Sequence, residues 1–530
     1  MSAGNNLSES LEGFEKYRHI GGFILGPVIF LIIVLSGTPE SFIQNAKSLL
    51  TPGSSELQIL QLAYGTKITL ALLFLMVIWW VTEAVPIPVT ALLPGIVLPL
   101  FHVTGFYHDK IFLFTGKNIL VNYANPIIFL FLSGFLLAAA MQKWKLDKRL
   151  TLFILTRGNI ANDSKFVLLG MISIAAFLSM WISNTATTAM LLPLGAGIIV
   201  QGGGKVGESN FGKSVMLGIA WGASVGGVGT IIGSPPNGIC VSILSSSGIR
   251  DITFVDWMKI GIPFVILFIP IVWLVLLKVF PPEIKKITGG KELIVQERKK
   301  LGGWSSAERM TVVAFVTVVI LWVSNPFWNF IFSKSFFENL SWFDENIIAL
   351  FGALLLFLLP VNWKEQKFVL DWSDAKFVDW GTLLLFGGGI ALSDGMFKTG
   401  LANWIATSVV SILGSPSTIV LMFALIVMLE LLTEVTSNTA VVSMMIPIII
   451  SIAQGTGDNP ITLCVAATIA ASMAFMLPVA TPPNALGYGT GYMKIKDMIK
   501  GGLVLDFIGW FFTAAVIYFI ASKLLGILSF

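Results

Sequence analysis

Two stretches decide how this chain folds: Ser179-Met180-Trp181-Ile182-Ser183-Asn184-Thr185-Ala186-Thr187-Thr188 and Thr433-Glu434-Val435-Thr436-Ser437-Asn438-Thr439. Each sets a knot of small polar residues at the middle of a mostly apolar run, Lys165 to Val200 and Leu421 to Ala453. Runs of 36 and 33 residues are too long for one membrane-crossing helix at about 1.5 Å per residue and long enough for two short legs. The spacing therefore predicts a re-entrant hairpin in each run, with its turn deep in the protein. Non-helical backbone at that depth is tolerated only where protein, water or ligand satisfies it.

The surroundings of both knots are those of an integral membrane protein. The 530 residues are 55% hydrophobic and 12% charged, with mean hydropathy +0.86. Soluble chains carry about twice that charge. Long apolar stretches centre on Gly21–Ser36, Ile68–Val81, Ile260–Leu277, Met310–Val323 and Gly502–Ile520, the last broken by Asp506. None shows the alternation of an outer-membrane barrel, so the expected class is all-α and polytopic. The Val85-Pro86-Ile87-Pro88 run breaks a helix after Glu83. Basic clusters at Lys143–Arg157 and in the 281–309 insertion are placed in the cytoplasm by the positive-inside rule. The 324–344 interruption, with Lys334 alone, falls on the opposite side. Compact loops point to a bacterial inner membrane.

Each knot is followed by a second interrupted segment. The first is Gly222-Ala-Ser-Val-Gly226-Gly227-Val-Gly229-Thr230-Ile-Ile-Gly233-Ser234-Pro235-Pro236-Asn237, and the second ends Pro478-Val479-Ala480-Thr481-Pro482-Pro483-Asn484. Prolines remove amide donors and glycines loosen the backbone, so an apolar helix breaks here. Ser183 and Ser437 lie 254 positions apart, and Pro235 and Pro482 lie 247 apart. Two motifs in the same order at nearly the same offset argue for an internal repeat. The halves run over 20–280 and 310–530, after an N-terminal segment 1–19 and separated by the 281–309 loop. The hairpins cover about 165–200 and 421–453, the broken helices about 212–246 and 461–492. Paired interrupted helices in corresponding halves are the sequence pointer to a secondary transporter's binding site.

The chemistry of such breaks is specific. The leg that ends leaves carbonyls unpaired, which suit Na⁺, and the leg that begins leaves amides unpaired, which suit a carboxylate. An asparagine amide can face a cation with its oxygen and an anion with its NH₂. Asn184 and Asn438 are therefore expected to bridge ion and substrate, with Thr185 and Thr439 donating to the acid. Ser179 and Ser183 are expected on one helix face toward a cation, and Thr433 and Ser437 repeat that spacing. Backbone oxygens near Gly233 and Ala480 close the two sites. No Lys or Arg lies within the knots, so an anion there must be balanced by helix N-termini and bound cations, at least two Na⁺.

Other residues read more plainly. Ser, Thr and Asn also serve interhelical packing in membranes. Glu434 is an intramembrane acid, either a direct participant or an orienting partner, and Glu430 shares the question. Lys67 and Lys165 are expected to snorkel. Gly387-Gly388-Gly389 marks close packing or a kink. His19, His102 and His108 share no metal-ligand spacing, Cys240 and Cys464 read as buried free thiols, and Asn339-Leu-Ser341 is a weak sequon. No nucleophile–base or metal set points to an enzyme, no organic cofactor is implied, and the modest net charge of +4 makes no case for nucleic acid.

The motif residues Ser183-Asn184-Thr185, Gly233-Ser234-Pro235-Pro236-Asn237, Ser437-Asn438-Thr439 and Ala480-Thr481-Pro482-Pro483-Asn484, with Thr82-Glu83-Ala84-Val85-Pro86-Ile87-Pro88 and Asn125–Leu132, resemble the divalent-anion:sodium symporters. That resemblance implies eleven transmembrane segments plus two re-entrant hairpins in two inverted repeats, with a scaffold that makes a homodimer and a transport domain that moves as an elevator. It implies one Na⁺ site from Ser179, Ser183, Asn184 and Gly233 and a second from Thr433, Thr436, Asn438 and Ala480. The substrate would lie among Asn184, Thr185, Asn438, Thr439 and Pro482. Threonine in third position of both knots resembles carriers of succinate, malate and fumarate. Sodium-independent exchangers and citrate or sulfate carriers of the same fold remain the alternatives.

Overall fold

The computed structural model describes residues 2–107, 110–157, 162–328, 342–414 and 416–521. His108, Lys334 and the Asn339 sequon lie outside them. The described chain is 75% helical, and seven of its helices are long and apolar enough to cross a membrane. Five of these coincide with the long apolar stretches of the sequence, the first stopping one residue short of Ser36: Lys16–Leu35, Glu56–Thr82, Phe254–Val279, Ser306–Phe327 and Ile495–Ile520. The first lies within a longer helix beginning at Ser2, so the polar N-terminal segment continues into the apolar one without a break. Two short antiparallel strand pairs, Thr104–Tyr107 with Lys110–Leu113 and Pro360–Asn362 with Lys367–Phe368, are additions to the all-helical expectation.

Helix starts follow local chemistry. Ser55 and Gln58 form a reciprocal capping box at the start of Glu56–Thr82, and Ser305 and Glu308 do the same for Ser306–Ser324. Glu83 ends the former in a left-handed conformation (φ 51°) before Pro86. Its carbonyl accepts from His19 Nδ1 at 2.7 Å, which ties the first two long helices together.

Lys67 corrects an expectation. Its side chain does not reach for water: the residue is 5% exposed, and Nζ donates to the Val34 and Ser36 carbonyls at 3.1 and 2.8 Å. The charge caps the carbonyl end of the first long helix, where an ammonium is electrostatically favoured. Lys165 is exposed, as a snorkelling residue should be. The three consecutive glycines lie in an unbroken helix, Trp380–Lys398, so packing rather than a kink accounts for them. A Cβ on Gly388 would stand 2.2 Å from the Ala91 carbonyl oxygen.

The 281–309 insertion contains a helix, Gly290–Lys300, and is anchored rather than loose. Lys148 pairs with Glu297 at 3.0 Å, and Arg149 pairs with Glu308 at 2.6 Å while donating to the Leu301, Gly302 and Gly303 carbonyls. Beside them Asp147 is buried, and burial raises its carboxyl to about 6 despite the Lys148 amide it accepts.

Candidate ion and substrate site

Both Ser-Asn-Thr knots fall at helix breaks. The first interrupts helices Ser164–Ser179 and Asn184–Gln201, and the second interrupts Thr418–Thr433 and Asn438–Thr456. Four residues separate the helices in each pair, 180–183 and 434–437. This geometry overturns one expectation. Ser179 ends a helix while Ser183 caps the next, its Oγ accepting from the Ala186 amide at 3.3 Å. They share no helix face, because the chain turns between them; Ser179 is buried and Ser183 exposed. Thr433 and Ser437 are divided in the same way.

The Pro-Pro-Asn segments are also broken helices. Asn210–Gly227 resumes at Pro235–Ser246, and Pro460–Ala471 resumes at Pro482–Gly489. Each resumes on a proline, whose missing amide costs nothing in a first turn. The asparagine that follows clamps the break. Asn237 Nδ2 donates to the Gly227 and Thr230 carbonyls, both at 2.8 Å. Asn484 Nδ2 donates to the Ala474 and Leu477 carbonyls at 3.1 and 3.0 Å. The separations along the chain are ten and seven residues in both cases. The same side chain thus closes the same loop twice.

The two halves differ in how the break meets the hairpin tip. In the first, the Thr230 hydroxyl donates to the Met180 carbonyl at 2.5 Å. In the second, the Glu434 carboxylate accepts the Met476 and Leu477 amides at 2.9 and 3.0 Å. Glu434 therefore acts on the backbone of the break, as an orienting partner.

Around Asn184 the acceptors converge. Ser179 Oγ lies 2.5 Å from Asn184 Oδ1. The Ala223 and Gly233 carbonyl oxygens lie 3.3 Å from the same amide end. An NH₂ turned inward would satisfy these oxygens, and so would a cation held by all four. The close approach depends on glycine: a Cβ on Gly227 would stand 2.6 Å from Asn184 Oδ1, and one on Gly233 would stand 3.0 Å from the Ser179 carbonyl. Ala223 and Gly227 carried no assignment in the sequence, since a backbone oxygen or an absent Cβ leaves no side-chain signal. Thr230 lay within the quoted stretch without a role.

In the second half Thr433, Thr436 and Ala480 are buried, and the Asn438 Oδ1 has no hydrogen-bond partner among the described residues. The Thr433 and Thr436 hydroxyls donate to the Glu430 and Leu432 carbonyls, which leaves their oxygens able to accept or ligate. Thr185 and Pro482 are exposed, while Asn184, Asn438 and Thr439 are half-buried. The halves pack crosswise. Pro482–Gly489 lies against Asn184–Gln201 and Asn210–Gly227, and Pro235–Ser246 lies against Asn438–Thr456 and Pro460–Ala471. Helices that begin at motif residues are thereby packed against the opposite half.

The family model for the sodium:sulfate symporter transmembrane region matches residues 59–527. A sodium-dependent dicarboxylate transporter of Staphylococcus saprophyticus is 35% identical over 520 residues, covering 96% of this chain and 92% of that protein. Its Staphylococcus aureus counterpart is 36% identical over 516 residues with the same coverage. The YdaH transporter of Alcanivorax borkumensis shares the fold at TM-score 0.55 and 14% identity, over 85% of this chain and 98% of that one. Matched along nearly its whole length, the chain belongs to the divalent-anion:sodium symporter family.

Proposed function

We propose that this protein couples inward movement of Na⁺ to uptake of four-carbon dicarboxylates such as succinate, malate and fumarate. The observation that carries the reading is the convergence of Ser179 Oγ and the Ala223 and Gly233 carbonyls on the Asn184 amide. Uncharged oxygens crowded this closely suit a hard cation, and the staphylococcal relatives carry sodium dependence and dicarboxylates in their names.

The first ion site then comprises Ser179, Asn184, Gly233 and the Ala223 carbonyl, with Ser183 contributing mainly as the helix cap. The second comprises Thr433, Thr436, Asn438 and Ala480. Asn184, Thr185, Asn438, Thr439 and Pro482 surround the acid. Sodium binding turns the Asn184 oxygen to the ion and its NH₂ toward the substrate, so the ion prepares the anion's donor. Two inverted repeats, re-entrant tips, a homodimeric scaffold and an elevator movement complete this reading. The twice-used asparagine clamp and the crosswise packing support it.

Purified protein in sealed vesicles provides the test. Labelled succinate should accumulate under an inward Na⁺ gradient with no acid inside. Uptake that requires internal dicarboxylate and ignores Na⁺ overturns symport in favour of exchange.

A further inference from the structure

On the side that the positive-inside rule places in the cytoplasm, the surface opens into a cavity of about 540 Å³. It is bordered by Arg149, Val295, Arg298, Lys299, Gly302 and Trp304. The helices Leu146–Leu155 and Gly290–Lys300 pack together to form its walls. Trp304 stands two residues before the apolar helix Ser306–Phe327, and Leu146–Leu155 begins three residues after Gly116–Lys143 ends. The cavity therefore lies at a membrane edge.

Its charge is unbalanced. The neighbouring acids are engaged: Glu308 with Arg149, Glu297 with Lys148 and Lys300, and buried Asp147 with the Lys148 amide. Glu292, exposed on the same helix as Arg298, lies six residues before it, nearly two turns away. Arg298 and Lys299 are exposed, and neither has a carboxylate partner among the described residues. Arg298 donates to the Thr156 hydroxyl at 3.2 Å and lies 5.6 Å from the centre of the exposed Phe153 ring. Both contacts hold the guanidinium in place, and neither neutralises it.

The carbonyl end of a helix ordinarily repels an anion. Here Arg149 offsets that repulsion, because its two terminal nitrogens donate to the Gly302, Leu301 and Gly303 carbonyls at 3.1, 3.2 and 3.2 Å. The same guanidinium lies 5.1 Å from the centre of the Trp304 ring, which holds that exposed side chain against the cavity.

We propose that this cavity binds the phosphate of an anionic phospholipid from the facing leaflet. Arg298 and Lys299 supply charge and donors, while Trp304 and Val295 meet the apolar part of the lipid. A guanidinium fork fits two phosphate oxygens, and a basic pocket beside a span draws anionic headgroups within a Debye length. A soluble phosphate ester could use the same donors, but it leaves Trp304 unmatched; an indole at a span end is a usual neighbour of lipid headgroups. Neither the transported acid nor the coupling ion enters, so the site stands or falls apart from the proposed function.

Native mass spectrometry of the full-length protein in detergent, titrated with phosphatidylglycerol, measures how tightly lipid is held. The wild type should bind it more tightly than phosphatidylcholine of the same chain length. Arg298→Gln with Lys299→Gln should weaken phosphatidylglycerol binding roughly 30-fold, and Lys299→Gln alone roughly fivefold. Lys364→Gln with Lys376→Gln removes equal charge from exposed positions outside the cavity and should leave the affinity near that of the wild type. Glycerol 3-phosphate in large excess should not displace the lipid. Equal affinity for the two lipids overturns the proposal, as do equal losses in the two double variants or unchanged affinity in the cavity variant. Displacement by glycerol 3-phosphate also overturns it and assigns a soluble phosphate ester instead. Should the cavity double variant fail to fold, Lys299→Gln decides, since that side chain has no partner among the described residues to lose; wild-type affinity there overturns the proposal.

Discussion

Adding one methyl group at Gly227 tests the proposed first ion site separately from the rest of the fold. The three nearest atoms to a Cβ there all belong to Asn184: Oδ1 at 2.6 Å, Nδ2 at 3.0 Å and Cγ at 3.2 Å. Ordinary contact begins near 3.4 Å, so in Gly227→Ala the amide must retreat by about 0.8 Å. That distance takes Asn184 out of reach of an ion held by Ser179, Ala223 and Gly233. A hydrogen-bond-strength contact to a charged group is worth about 1.5–3 kcal/mol. At about 1.4 kcal/mol per tenfold, the Na⁺ affinity should fall roughly 10- to 100-fold. The assay is succinate uptake into vesicles as a function of external Na⁺, and the half-saturating concentration should rise by that factor. Maximal uptake at saturating Na⁺ should fall as well, because the displaced Asn184 also faces the acid in the proposed site. Gly303→Ala, where a Cβ meets nothing within 4 Å, is the control. An unchanged Na⁺ curve in a folded Gly227→Ala protein refutes the assignment of Asn184 to the ion.

Asn237→Ala and Asn484→Ala each strip two carbonyls of their side-chain donor. At about 1–3 kcal/mol for a buried group left unpaired, both should lower the melting temperature by comparable amounts; a loss confined to one half refutes their equivalence. Asp147 predicts a pH effect of the opposite sense to a salt-bridged acid. Its folded value of about 6 exceeds the ordinary carboxylate value. The folded state therefore binds more protons in that window, and stability falls as pH rises from about 4 to about 6. Asp147→Asn should be indistinguishable from wild type near pH 4 and more stable above about pH 6, by on the order of 3 kcal/mol. Thermal melts across that range check it, and a difference that does not grow with pH refutes it.

Several parts of this protein were legible in one dimension because their causes are local. Continuous hydropathy set the long helices, since a helix is the structure that pairs every backbone group within one apolar segment. Ser-Asn-Thr and Pro-Pro-Asn marked the four breaks, since caps and prolines act on their immediate neighbours. The offsets of 254 and 247 exposed the repetition of the motifs before any contact was known. Even so, the i, i+4 spacing of Ser179 and Ser183 suggests one helix face where the chain turns between them, because a tripeptide pattern does not say on which side of a break each residue falls.

Tertiary structure decided what the motif residues touch. Ala223 reaches Asn184 through a carbonyl that any residue type could supply, and Gly227 matters for the side chain it lacks. Lys67 could have been a snorkelling residue until the end of the first long helix was seen to receive it. Glu434 could have been ligand or support until Met476 and Leu477, 42 and 43 residues away, turned their amides to it. The sequence by itself determined where the helices break and with which chemistry. Only packing between distant segments decided which oxygens converge on Asn184 and which amides Glu434 holds, because those facts depend on neighbours far along the chain.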